Sequence, residues 1–328
     1  MGDYVNLFWQ AFLVNFLFWA SLAQGSVIFA ASLNLTNARW GRPYVGIARS
    51  FAAFLPVVVI LFAVLLLGRV SIFPWVADPV PQKAAYLNIP FLAIRGLLGL
   101  SLLALFSWIF LYKTGKQSEA SDPIQASPWA VALVILFMVV YTYLAFDLVM
   151  SLQPNWYSTL LGAYFAVSAF FLGLAGLCVA GYFAAIPDGD RRRISKLLFA
   201  FSLFWMSLLW SQYIVIWYGD IPEETQFVYL IFFRSPWRAV TLTMLALAFV
   251  IPFTILMPRR AKATGFIPLI SSSFVLAGLL LEKYVLVIPS FHPDVIAINW
   301  IHLLVTIGFA ALFYLSHVIF GPVFRFKE

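Results

Sequence analysis

Nine apolar stretches, each about 20 residues or longer, dominate the chain and leave little room for any other kind of fold. They lie near residues 7–33, 49–68, 91–112, 129–151, 156–184, 196–219, 236–257, 266–288 and 298–320. A hydrocarbon layer about 30 Å thick is crossed by roughly 20 helical residues, and a helix satisfies its own backbone there. The expected fold is therefore an all-α polytopic membrane protein with about nine transmembrane helices. Of 328 residues, 63% are hydrophobic and 10% are charged, which excludes a soluble domain. The intervening segments are short and rich in helix breakers, as in "FPWVADPVPQK" and "IPDGDRRR". The first run has no basic residue before Arg39 and exceeds a signal-peptide core, so it is read as a retained helix.

Nine crossings put the two ends of the chain on opposite sides, so the loops fall into two sets. The set that includes the C-terminus holds Arg39, Arg42, Arg49, Lys113, Lys116, Arg191, Arg192, Arg193, Lys196, Arg259, Arg260, Lys262, Arg325 and Lys327. The opposite set holds Arg69, Lys83, Arg95, Arg234 and Arg238, and Lys283 falls within a span. This bias predicts a cytoplasmic C-terminus and an external N-terminus. It also accounts for the net charge of +7 by membrane orientation, leaving no basis for nucleic-acid binding.

Ionisable groups inside hydrocarbon cost at least about 2.5 kcal/mol on insertion scales, so each needs a partner or a function. Counting along the predicted helices places Arg95, Asp147, Glu282, Lys283 and His302 toward the external side, with Asp220 closing the sixth span there. Asp147 is expected either to pair with Arg95 or to handle protons or a ligand. Glu282 and Lys283, about 100° apart on a helix, are expected to face different neighbours, with Lys283 snorkelling outward. Ser271, Val275, Gly278 and Glu282 form a stripe that suggests close helix packing beside the acid. A carboxylate held out of water makes a usable proton carrier. In "YGDIPEET" Asp220 is expected to cap a short interfacial helix, with Glu223 and Glu224 in its first turn. These acids also suit proton exchange or partner docking. Proton-path candidates are thus Asp147, Asp220, Glu223, Glu224, Glu282 and His302, drawn as one outer half-channel. Arg95, Tyr141, Tyr143, Asp147 and Lys283 are candidates for a quinone pocket or an ion pair.

Cofactor ligands are scarce. His302 and His317 share one predicted helix but stand about 22 Å apart along it, too far to ligate one haem iron. The single cysteine, Cys178, excludes an iron–sulfur cluster ligated by this chain's cysteines, and no metal-ligand spacing is present.

The stretches "NARWGRPYVGIARSFAAFLP", "FDLVMSLQPNWYSTLLGAYF" and "WSQYIVIWYGDIPEET" resemble the ActF-type, NrfD-like integral subunits of alternative complex III, and "LLLEKYVLVIPS" is more generally NrfD-like. The resemblance covers most of the chain. It implies two four-helix bundles plus one extra helix, with sub-bundles at 1–151 and 156–288 and the last helix at 298–320. It also implies the inner membrane of a bacterium, with a periplasmic N-terminus. The implied function is that of an integral subunit of a quinol-oxidising respiratory complex. Its implied partners are an ActC-like NrfD paralogue, an outer-side iron–sulfur subunit, multihaem cytochrome c subunits, small membrane subunits and lipids. Haem and iron–sulfur clusters would reside in those partners only. The chain departs from the pattern expected of a quinol-oxidising member, because no histidine precedes His292. A role as scaffold and proton-conducting companion, with an auxiliary quinone site, follows from that departure. Competing expectations are a membrane anchor of the polysulfide-reductase type and a secondary transporter.

Overall fold

The computed structural model describes residues 2–115, 126–184, 186–258 and 266–324. The charges at Lys116, Arg259, Arg260, Lys262, Arg325 and Lys327 lie outside the described residues. Among the described residues the chain is all-helical, and nine helical segments are long and apolar enough to cross a membrane.

The first crossing is α1 (Gly2–Leu35). The second is assembled from α2 (Arg42–Ala52), α3 (Leu55–Leu65) and α4 (Arg69–Ile72). The break between α2 and α3 falls where Pro56, which has no amide hydrogen, enters the first turn of α3. A single turn, α5 (Pro74–Ala77), lies in the connection to α6 (Ile89–Gly115), which is followed by α7 (Pro128–Leu148). Next come α8 (Leu161–Phe183), α9 (Asp188–Gly219) and the short α10 (Pro222–Phe232). The seventh crossing joins α11 (Trp237–Leu245) through a π-helical turn, Ala246–Val250, to α12 (Ile251–Leu256). The last two are α13 (Phe266–Val287) and α14 (Trp300–Phe324).

Spans one to four pack in a ring: α1 against the α2–α4 span, that span against α6, α6 against α7, and α7 back against α1. Spans five to eight repeat the arrangement, with α8 on α9, α9 on α12, α11 and α12 on α13, and α13 back on α8. The rings meet where α1 packs along α8, and α14 lies outside them against α1 and α2. Two four-helix bundles plus one extra helix is the result. The most apolar window of α1 is 94% buried, against 22% for α9, so the first helix is the molecule's axis.

Lipid tails are as apolar as leucine, so helices in a membrane associate through close packing and hydrogen bonds rather than hydrophobic transfer. The tightest approach is between α1 and α8. A Cβ on Gly25 would run into the backbone of Ala169, and one on Gly173 into the backbone of Gly25 and Ser26. Ser26 Oγ donates across this crossing to the Gly173 carbonyl at 3.3 Å. In the second bundle, a Cβ on Gly278 would strike Ala248 in the π turn, so the small residue of the α13 stripe serves helix approach. Phe313 holds α14 in place by packing on Trp19, Phe51 and Phe54.

One expected feature is corrected here. Asp220 does not open α10; it closes α9, with φ 47° in the left-handed region that aspartate tolerates better than most residues. Ile221 occupies the N-cap position in an extended conformation, because a residue that precedes proline is pushed out of the helical region. Glu223 and Glu224 do stand in the first turn of α10, where a helix favours negative charge.

Candidate functional site: buried polar groups at the N-terminal ends of the bundles

At the end of the molecule where α1 begins, two charged pairs lie below the helix ends, one in each bundle. In the first bundle Arg95 of α6 grips Asp147 of α7 with two parallel bonds, Nε to Oδ2 and Nη2 to Oδ1, each 2.7 Å. Asp147 is 1% exposed. The guanidinium sits against the rings of Tyr86 and Phe91, at 3.9 and 4.2 Å from their centroids, and also donates to the Tyr86 carbonyl. Tyr86, in the connection before α6, has its hydroxyl beside Asp147, and burial followed by the charge of Asp147 pushes its pKa up. Tyr143 Oη donates to the Arg95 carbonyl at 3.0 Å, and Tyr141 Oη donates to the Ala20 carbonyl at 3.0 Å. The polar groups proposed for a pocket here are therefore committed to protein partners, and together they fasten α6 to α7 and α7 to α1.

The second bundle holds the other pair. Glu282 lies about 8 Å inside the end of α13, counted at 1.5 Å per residue. Its Oε2 accepts from Ser168 Oγ at 2.6 Å and Lys283 Nζ at 2.7 Å, and its Oε1 accepts from Trp205 Nε1 at 2.9 Å. Lys283 Nζ also donates to Ser168 Oγ at 2.9 Å and sits 4.3 Å from the centre of the Phe165 ring. This corrects two expectations. Lys283 does not snorkel, being fully buried, and the adjacent side chains do share a neighbour. A 100° separation applies at the backbone, but the four-carbon lysine stem curls around so that both head groups end on Ser168 of α8. Coulombic attraction at this range supplies the reason that neither charge escapes to the interface.

The remaining candidates are dispersed. His302, on α14, lies on the other flank of α13, its ring 5.8 Å from that of Tyr284. Its Nδ1 is 3.1 Å from Asn299 Oδ1, which only accepts, so Nδ1 carries the hydrogen. His292 does not pair with His302; its Nε2 meets Gln10 Oε1 of α1 at 3.0 Å. Asp220 and Glu223 are exposed, and Glu224 is half-buried beside the connection before α8. There, Trp156 Nε1 donates to the Glu224 carbonyl at 3.1 Å. Asp147, Glu282 and His302 thus occupy three separate environments rather than one file.

Sequence reasoning passed over a series of neutral polar residues on α1. Gln10 reaches His292, Gln24 Nε2 donates to Ser107 Oγ at 3.1 Å, and Asn34 Oδ1 accepts from the Ser127 amide at 2.8 Å. Their signal was present, since three amides in one apolar run are out of place unless that helix is surrounded by protein. Among the described residues no group of three His, Cys, Asp or Glu side chains is arranged to hold a metal ion.

A family model described as polysulphide reductase, NrfD, matches residues 1–293. The chain belongs to the NrfD family. NrfD-family proteins are membrane subunits of redox complexes that partner with iron–sulfur subunits, and this member carries its two buried ion pairs one per four-helix bundle. No curated protein matches the chain.

Proposed function

We propose that this NrfD-family chain is the ActF-type subunit of an alternative complex III, a scaffold whose second bundle exchanges protons through Glu282. The observation that carries this reading is the carboxylate of Glu282, 1% exposed within a helical bundle and ringed by Ser168, Trp205 and Lys283. An acid kept from water but provided with hydroxyl, indole and ammonium donors is equipped to hold a proton or give one up. The first bundle has a structural task. Asp147 and Arg95 satisfy each other, and no histidine precedes His292 to serve as a base for quinol, so quinol oxidation is assigned to an ActC-like paralogue. Electrons then pass to an iron–sulfur subunit and multihaem c subunits docked on the external face, where Asp220, Glu223 and Glu224 stand. The N-terminus is periplasmic on this reading, and the membrane is the bacterial inner membrane.

Purification of the native assembly tests the complex: iron–sulfur and multihaem c subunits should accompany the chain, and a preparation without haem c would refute this assignment. Glu282→Gln should lower proton release per electron without loss of assembly, and unchanged coupling would remove Glu282 from the route. Topology is tested by single cysteines. An impermeant thiol reagent applied from the periplasm should label Asn155→Cys and leave Gly189→Cys untouched until the membrane is opened. A second reading is favoured by the description of the matching family, polysulphide reductase. On that reading the chain anchors a reductase and electrons run toward the external acceptor, so reduction of polysulfide by the purified assembly would decide for it.

A further inference from the structure

The end of the molecule opposite the two buried pairs carries cations to which no task has yet been given. α1 stops there at Leu35, and the motif "NARWGRPYVGIARS" follows. Arg39 opens a single 3₁₀ turn, Arg39–Gly41, and Arg42 begins α2 with Pro43 in its first turn. The buried residues of α2 are Tyr44, Ala48 and Ala52, four apart, so one face of this helix is committed to packing. Arg42, Pro43 and Gly46 are exposed on the face opposite. Gly46 stands one turn beyond Arg42, and a Cβ on it would meet nothing within 4 Å, so the surface there is open backbone. The second span runs for 34 residues, Arg39–Ile72, of which a hydrocarbon layer takes roughly 20. Its charged beginning, Arg39 and Arg42, is left over and stands at the depth of lipid headgroups.

The start of α9 lies beside this turn. The Arg39–Gly41 turn packs on α9, and Tyr44 of α2 faces Arg191, Ile194 and Ser195 of α9 across one small void. α9 brings both acids and bases to the junction. Asp188 pairs with Arg191, and Asp190 with Arg193 at 3.1 Å, so the two acids are neutralised within their own helix. Arg192 and Lys196 are exposed and one turn apart on one face of α9. Among the described residues no carboxylate pairs with either of them, or with Arg39 or Arg42. The packing therefore brings these positive charges to the seam where the first bundle meets the second.

Setting the orientation of a membrane chain requires only that basic residues be more numerous on one side, wherever they stand. It gives no reason for cations from two bundles to meet without acids, since like charges repel. An anion between them removes that cost. Arginine binds phosphate through two parallel bonds and lysine as a point charge, and basic pockets between transmembrane helices are where anionic headgroups bind. We propose that Arg39, Arg42, Arg192 and Lys196 hold the phosphate of an anionic phospholipid at the seam of the two bundles, beside the open surface at Gly46. Because α2 belongs to one bundle and α9 to the other, the lipid ties them together at the end away from the ion pairs. This site is independent of the role given to Glu282.

Native mass spectrometry of the lipid-depleted full chain with its accompanying subunits, titrated with phosphatidylglycerol or with phosphatidylcholine, tests the site. Phosphatidylglycerol should bind the more tightly. Arg42→Gln and Arg192→Gln should each weaken it about fivefold, the worth of one basic residue at an anionic headgroup, and together roughly 25-fold, with phosphatidylcholine unchanged. Arg42→Lys keeps the charge and should keep most of the affinity, and it serves if Arg42→Gln does not insert. Lys113→Gln removes an exposed charge from the last turn of α6 at the same end and should change nothing. An equal loss in Lys113→Gln would reveal diffuse attraction to the basic end and overturn the site, as would equal affinity for the two lipids. Displacement of phosphatidylglycerol by millimolar inorganic phosphate would assign the cations to a free anion and overturn the lipid.

Discussion

Replacing Lys283 by methionine is the most direct probe of the second bundle. The ammonium stands 2.7 Å from Glu282 Oε2, and both side chains are at most 1% exposed. At that separation the attraction is about 6 kcal/mol with an effective dielectric near 20, and it is set against the cost of removing both charges from water. Removing one member of such a pair costs about 3–5 kcal/mol, because the survivor stays buried without compensation. Lys283→Met should therefore destabilise by that amount. Glu282→Gln should sit at the low end, because the single amide oxygen, placed where Oε2 stands, still accepts from Ser168 and Lys283. Replacing a whole buried pair by neutral groups is close to neutral, so the double variant should be more stable than Lys283→Met alone. Unfolding in mixed detergent micelles with increasing dodecyl sulfate, followed by circular dichroism, gives the three free energies. Single losses that add to the double within about 0.5 kcal/mol would show that the two charges do not act on each other and would refute the reasoning.

Arg95→Lys keeps the charge but loses the planar fork that binds both Asp147 oxygens, and should cost about 1.5–3 kcal/mol in the same assay; wild-type stability would show that the second bond contributes nothing. Gly25→Val or Gly173→Val pushes α1 off α8 and should prevent recovery of folded protein from membranes, whereas Gly46→Ala, where a Cβ meets open space, should leave the yield unchanged. His292 lies in the connection before α14, and burial holds its pKa below the ordinary value of 6.5. Below that value the unfolded chain binds more protons than the folded one, so the contribution is intact above about pH 6.5 and is lost as pH falls through the folded pKa. His292→Gln should flatten the thermal stability profile between about pH 7 and 5.

Much of this architecture was legible because a membrane imposes a length. Nine apolar runs gave nine crossings, and the Arg95–Asp147 pair could be anticipated from two opposite charges at similar depth on consecutive antiparallel helices. Legibility failed where side-chain reach or a single dihedral decides. Helical geometry separates Glu282 from Lys283, and only the lysine stem reunites them on Ser168. Asp220 has the composition of an N-cap, but Pro222 hands that position to Ile221 and leaves Asp220 to finish the preceding helix. The grouping of Asp147, Glu282 and His302 rested on depth alone, which says nothing about the azimuth of a helix within its bundle. Gln10, Gln24 and Asn34 went unremarked because neutral amides carry no charge signal.

The burial of α1 also bears on how the protein is made. This helix leaves the ribosome well before α8, and Ser26 finds its acceptor on Gly173, 147 residues later in the chain. At synthesis rates of about 5–20 residues per second, that interval is roughly 7–30 s. For that time the amides of Gln10, Asn15 and Gln24 have no sister helices from the second half to shield them. Insertion must therefore shelter α1, by the translocon or a companion subunit, until the later helices arrive to enclose it.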